Sequence, residues 1–246
     1  MSLQIIPVSI LEDISFGDDL VDVLLKTKVG RSIKDGDILI FTQKIISKQE
    51  GRKINLSEIN PSLLAIGIAG AYEKDPRIVQ LILDETKRIV RMKNGIIISQ
   101  TPQGLVCANA GVDESNVEKG FATLLPKDSD KSAQKIRRKI KAKTGKDIAV
   151  LISDTFGRPF REGQTDVAIG MSGISPIVDY KGKHDTFKRI LRVTEIAIAD
   201  EICSASELVR GKMSGTPIAI VRNYNFDKKN GSLDDLLRNK SLDLFR

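Results

Sequence analysis

The sequence predicts a mixed α/β protein, of α+β character, rather than a regular parallel sheet. Short apolar runs of strand type recur along the chain, with helix-type runs between them. The two kinds do not alternate as regular βαβ units, so a Rossmann sheet is not expected. No G-x-x-x-x-G-K-[ST] occurs, which excludes a P-loop. With 246 residues, 41 % of them hydrophobic, the chain can form one large domain or two small ones.

Residues 3–8 read as a strand, 18–29 as a helix and 37–42 as a buried strand. The segment after it, TQKIISKQEGR at 42–52, reads as a strand exit carrying solvated lysines; the functional alternative is a basic arm reaching a phosphate. Residues 76–91 read as one helix, with Pro76 in its first turn. Strands follow at 95–99 and 105–108, then a helix at 113–125 with Asp113 as its cap. Residues 131–143 read as a helix that buries the stripe Ala133, Ile136, Ile140. The apolar run 148–152 reads as a buried strand reaching Ser153. Residues 191–199 and 217–222 are further strands, and 201–209 and 233–238 further helices. The whole chain, 1–246, is expected to be a single unit, with a subdomain boundary candidate near 127–130 and another near 182–185.

Composition narrows the function. Aromatics make up 4 % and Trp is absent, so Ile, Val, Leu and Ala must fill the core. The net charge is +7, and 127–146 alone holds nine Lys/Arg against two Asp. That excess suits polyanionic ligands or a solvated helix face. It lacks the interleaved aromatics of a single-strand nucleic-acid platform, so no nucleic-acid partner is expected. Cys107 and Cys203 lie far apart and suggest neither a disulfide framework nor a zinc site. There is no signal-peptide pattern and no apolar run near 18 residues, so a cytoplasmic protein without a membrane partner is expected.

The densest chemistry lies at 153–173, SDTFGRPFREGQTDVAIGMSG. It holds Asp154, Glu162 and Asp166, Arg158 and Arg161, and four glycines. A Gly-rich, charged loop directly after a buried strand is costly to order unless it binds something. Asp154-Thr155 offers oxygen ligands for Mg²⁺ or Mn²⁺, and Asp113, from another strand end, could share the ion. Asn116, three residues past Asp113, adds a polar contact. The segment RGKMSGTP, Arg210 to Pro217, offers glycine-freed backbone N–H groups and Lys212 to a phosphate. His184 is the only histidine and stands in a polar segment without G-x-S-x-G, which argues against a nucleophilic triad.

Five segments together resemble the coenzyme F420-0:L-glutamate ligase (gamma-glutamyl ligase) family. They are GDDL at 17–20, TQKIISKQEGR at 42–52, ANAGVDESN at 108–116, SDTFGRPFREGQTDVAIGMSGISPIVDYKG at 153–182 and LVRGKMSGTPIAIVR at 208–222. They agree with the family in order and spacing. The resemblance implies a family-specific fold assembled as an intertwined homodimer. It implies GTP-dependent attachment of L-glutamate to coenzyme F420-0, and two divalent cations, Mg²⁺ or Mn²⁺, with K⁺ a further candidate. By resemblance Asp113 and Asp154 hold one cation and Thr155 helps hold the second. Nucleotide contacts fall on Leu11, Glu12, Asp13 and Ile14, on Gln43, Lys44, Lys48 and Asn116, and on Arg210, Gly211, Lys212, Met213, Ser214, Gly215, Thr216 and Pro217. Two departures stand out. Residues 10–14 read ILEDI where the family carries a Pro-containing GLPLI-like element. Lys212 stands where some members have an acid or amide ligand, and a protonated lysine has no lone pair for a metal.

The implied chemistry suits these residue types. A free carboxylate must be activated before an amine can displace an oxygen from it, and phosphorylation by GTP gives an acyl phosphate. Cations and basic side chains would stabilise the charge that accumulates, and no protein nucleophile is required. Asp154, Arg158 and Arg161 are the candidate catalytic residues. Arg158, Arg161 and Lys181 are candidates for the substrate phosphate and the glutamate carboxylate. Glu162 or Asp166 is the candidate proton acceptor. The alternative is another metal-dependent, nucleotide-using phosphoryl-transfer enzyme with a different acceptor.

Overall fold

The computed structural model describes residues 2–243. Its centre is a five-stranded sheet formed by β1 (Gln4–Val8), β2 (Ile38–Thr42), β8 (Ala149–Arg158), β9 (Arg161–Ser172) and β12 (Ile218–Arg222). The order is β1-β12-β2-β8-β9. Only β2 and β8 run parallel; the other neighbours are antiparallel. The mixed α/β expectation holds, and the sheet is not of Rossmann type.

Period-2 alternation splits the core into two layers. In β2, Leu39 and Phe41 join one apolar cluster while Ile38 and Ile40 join the other, and all four are fully buried. A strand buried on both faces reads as a continuous apolar run, which is why 37–42 was legible. The first cluster is closed by α1 (Leu20–Lys26), α2 (Gln43–Gln49) and α5 (Ser129–Thr144). The stripe Ala133, Ile136, Ile140 of α5 is buried there, and of the seven Lys/Arg on this helix all but Arg137 are exposed. The second cluster is closed by α6 (Ile198–Arg210), through Ile198, Ala199, Ile202 and Cys203.

A third core stands apart from the sheet. It is built by α3 (Leu63–Tyr72), α4 (Pro76–Asp84) and small antiparallel pairings. Here β3 (Lys53–Asn55) pairs with β7 (Phe121–Thr123), and β4 (Arg88–Lys93), β5 (Ile96–Gln100) and β6 (Val106–Ala108) form a three-stranded sheet. A short ladder, β10 (Val178–Asp179) with β11 (Glu195–Ile196), carries an exposed hairpin between its strands.

Several sequence expectations need correction. The 76–91 helix ends at Asp84; Thr86 bonds back to the Ile82 carbonyl, and 88–93 leaves to pair with β5. The 113–125 helix does not form. Asp113 exchanges backbone hydrogen bonds with Thr123, and Asn116 sits at φ +54, in the left-handed region that a helix cannot use. The loop expected at 153–173 is instead the arm of a long hairpin: β8 continues to Arg158 and β9 returns from Arg161, paired residue against residue. Residues 42–52 contain α2 instead of a loop. Helix α3 went unseen: LLAIGIAGAY is apolar on every face, so it has no 3.6-residue stripe. In the segment 191–199 only Glu195–Ile196 is strand, and the helix at 233–238 is a 3-10 turn over Leu233–Asp235.

Candidate active site

Sheet topology gathers the site. Parallel pairing sets Thr42 opposite Ser153, so the first turn of α2 stands beside Asp154-Thr155. The antiparallel strand β12 begins at that same end, and the Thr42 N–H donates to the Pro217 carbonyl at 2.9 Å. Strand β1 also finishes there, and Ile10 N–H donates to Gly215 carbonyl at 3.0 Å. The Asp113 loop is held close by its pairing with Thr123. These segments enclose a cavity of about 1120 Å³. Ligands collect at such strand ends because loops from several strands can converge without disturbing the core.

Two carboxylates share the wall in opposed states. Asp113 accepts from the Lys44 ammonium at 2.6 Å and from the Ser115 N–H at 2.7 Å. Burial pushes its pKa up, but the Lys44 hydrogen bond, the Ser115 N–H and the Lys44 charge together hold it below the usual value. Asp154 has no such cation. Burial first, then the charges of Asp166 and Asp113, push it up to about 7, against a backbone hydrogen bond from Thr155 and the charge of Lys212. Asp113 and Asp154 line the same cavity, and the Asp113 charge is one of those that raise Asp154.

The basic side chains ring these acids. Lys44 and Lys48 lie one turn apart on α2, and Lys48 donates to Asp13 at 2.7 Å, which is the main cause of that carboxyl's lowered pKa. Lys212 contacts the Thr155 hydroxyl and lies 3.8 Å from Asp166. Gln43 lines the cavity, yet its amide nitrogen is engaged inward with Ser47 and the Leu124 carbonyl. Cys107 is also on the wall; burial, and then the Asp154 charge, push its thiol up to about 12, so it is neither a nucleophile nor a soft metal ligand at neutral pH.

Most residues expected from the sequence meet here. Glu12, Asp13 and Ile14, Gln43, Lys44 and Lys48, and Asp113 and Asn116 line the cavity. So do Asp154 and Thr155, and Arg210, Gly211, Lys212, Met213, Gly215, Thr216 and Pro217. Leu11 does not; its side chain is fully exposed. Ser214 turns away to the Arg210 carbonyl. Arg158 and Arg161 lie at the tip of the β8–β9 hairpin, outside this chain's cavity, and Arg158 binds the Glu162 and Gly163 carbonyls beside it. Lys181 pairs with Glu195 at 2.6 Å. Asp166 is not a free proton acceptor, because it is buried against Arg210, Ser153 and Thr155. Ser115, which orders the Asp113 loop, was missed; its signal was the Asp-x-Ser spacing of an Asx turn.

The donor set fits a hard divalent cation. Asp113 and Asp154 supply carboxylate oxygens and Thr155 a hydroxyl. Among the described residues no group of three or more His, Cys, Asp or Glu could hold a metal alone. Two carboxylates completed by phosphate and water oxygens is a habit of Mg²⁺ at nucleotide sites.

Comparison with known proteins settles the lineage. The family profile described as F420-0:Gamma-glutamyl ligase matches residues 10–223. This chain belongs to the F420-0:gamma-glutamyl ligase family. The coenzyme F420:L-glutamate ligase of Methanothermobacter thermautotrophicus is 44 % identical over 251 residues, covering 100 % of both chains. That of Methanocaldococcus jannaschii is 49 % identical over 215 residues, covering 87 % of this chain and 86 % of the other. The Archaeoglobus fulgidus relative is 39 % identical across 100 % of this chain and 97 % of its own. The family profile spans every wall of the cavity, from Ile10 to Pro217. No helix among the described residues of this family member is long and apolar enough to cross a membrane.

Proposed function

We propose that this chain is a GTP-dependent ligase that joins L-glutamate to coenzyme F420-0 through an acyl phosphate. The observation that carries the reading is the convergence of Asp113, Asp154 and Thr155 with three lysines in one cavity whose only thiol is inert. Such a wall can hold phosphates and a carboxylate together, and its lining includes no histidine that would activate a serine or cysteine nucleophile. The names of the curated relatives support the same acceptor and amino acid.

In the first step an oxygen of the substrate carboxylate attacks the γ-phosphorus of GTP, and the bond to the GDP oxygen breaks. In the second the glutamate amine attacks the acyl carbon, inorganic phosphate leaves, and the nitrogen loses a proton. Lys44, Lys48 and Lys212 release their present acidic partners and neutralise the phosphates. The backbone of Gly215 and Thr216 supplies N–H groups at the cavity edge. Divalent cations held by Asp113, Asp154 and Thr155 would offset the charge shared by phosphates and carboxylate. Asp154, with its raised pKa, gains its charge most readily when a cation is beside it.

Arg158 and Arg161 enter this reading through a homodimer. A hairpin tip that lies outside its own cavity could reach that of a second copy, where the two guanidinium groups would clamp the substrate phosphate or the glutamate carboxylate.

The test of the mechanism is isotopic. Coenzyme F420-0 labelled with ¹⁸O in its carboxylate is incubated with the protein, GTP, Mg²⁺ and L-glutamate. One label should appear in inorganic phosphate for each molecule of coenzyme F420-0 that receives its first glutamate. Product without labelled phosphate would exclude the acyl phosphate, and no glutamate-dependent mass gain would end the ligase reading.

A further inference from the structure

We propose that Asp166 is a positioning residue that fixes which way the Thr155 hydroxyl presents its lone pairs, with buried Arg210 as its counter-ion. The inference rests on the reading of Thr155 as a cation ligand.

The geometry leaves the hydroxyl little choice. Strand register sets Thr155 opposite Asp166. The Thr155 Oγ1 lies 2.6 Å from Asp166 Oδ1, and the Lys212 ammonium contacts the same oxygen. An ammonium only donates, so Oγ1 accepts from Lys212; a carboxylate only accepts, so the hydroxyl proton points at Asp166. The oxygen lone pairs are thereby turned toward the side where a positive charge already sits. A cation replacing the Lys212 nitrogen would meet a ligand that is already oriented and made more basic by its bond to a carboxylate.

Asp166 is itself held fast. Its Oδ2 accepts from Arg210 at 2.5 Å and from Ser153 at 3.2 Å, and Ser204 donates to its backbone carbonyl at 2.7 Å. The two charged side chains are almost wholly buried, at 2 % and 1 % exposure. As a stabilising device this pair is poor. Burying both charges is costly, and Nε and Nη1 of Arg210 lack hydrogen-bond partners among the described residues. A costly ion pair directly behind a proposed ligand is explained by what it does to that ligand.

The experiment counts ions rather than turnover. Mn²⁺ binding to the full chain is followed by the loss of its free electron paramagnetic resonance signal, with a non-hydrolysable GTP analogue present. Wild type should bind two ions. Asp166→Asn should keep the first and bind the second about 10–100-fold more weakly. Thr155→Val should show the same selective loss, Thr155→Ser should not, and adding Asp166→Asn to Thr155→Val should cost nothing further. Should Asp166→Asn fail to fold with Arg210 unpaired, the paired change Asp166→Asn with Arg210→Met removes both charges and carries the same expectation. Two ions bound with wild-type affinity in a folded variant lacking Asp166 would overturn the inference alone. Absence of Mn²⁺ binding by wild type would overturn the reading of the site with it.

Discussion

The Lys44 ammonium lies 2.6 Å from the carboxylate of Asp113, reaching it from the first turn of α2. The oxygen proposed to receive a divalent cation is therefore already serving a monovalent one. Lys212 stands in the same relation to Thr155. The site carries its own countercharge, and a bound nucleotide would have to draw both lysines toward its phosphates.

This pairing makes Lys44→Gln a variant with two opposed effects. The ion pair is partly exposed, so it contributes about 1 kcal/mol, and its loss should raise nucleotide-free Mn²⁺ affinity about fivefold. The KM for GTP should rise in the same variant, because a phosphate partner is gone. Titration of Mn²⁺ without nucleotide, and of GTP under turnover, measures the two effects separately. A fall in nucleotide-free Mn²⁺ affinity would contradict the competition.

Asp154 gives the site a pH dependence near neutrality. Its pKa is raised to about 7, so below that pH a cation must displace a proton. Nucleotide-free Mn²⁺ affinity should fall about tenfold per pH unit below 7 and level off above it. Calorimetry in buffers of different ionisation enthalpy should find close to one proton released at pH 6. The stability effect has the opposite sense. Between the unfolded carboxyl's value near 4 and about 7, only the folded state holds this proton, so the Asp154 contribution to stability is lost as pH rises across that window. Excess Mn²⁺ should offset that loss in thermal melts.

The arm bearing the site is set by close packing against α5. A Cβ on Gly170 would lie 2.3 Å from the Ser129 Cβ and 2.5 Å from its carbonyl carbon, closer than any packing allows. Gly170→Ala should destabilise the fold by about 1–3 kcal/mol. A melting temperature within error of wild type would show that β9 and α5 can separate freely.

How much of this was legible depends on whether the deciding contacts were local. The strands β2 and β12 and the first half of β8 were readable because each is a short, buried apolar run. Asp113, Asp154 and Thr155 were readable as hard-oxygen ligands at strand ends. The path from Asp113 to Thr123 was not, since its backbone partner lies ten residues on and an N-cap residue is also an Asx-turn residue. Arg158 and Arg161 looked like site arginines from their sequence distance to Asp154. The hairpin instead carries them away along β8. Asp166 sits on the returning strand, and only the register that sets it against Thr155, with Arg210 arriving from the end of α6, reveals its partners.

The most direct measurement pairs two variants, Asp113→Asn and Asp154→Asn, assayed for glutamate addition to coenzyme F420-0 with GTP and Mg²⁺, each beside a thermal melt. Both should retain the wild-type fold and lose turnover by a factor of at least about 10², the scale of one lost electrostatic stabiliser. Full turnover in either folded variant would contradict the claim that these two carboxylates together anchor the reaction.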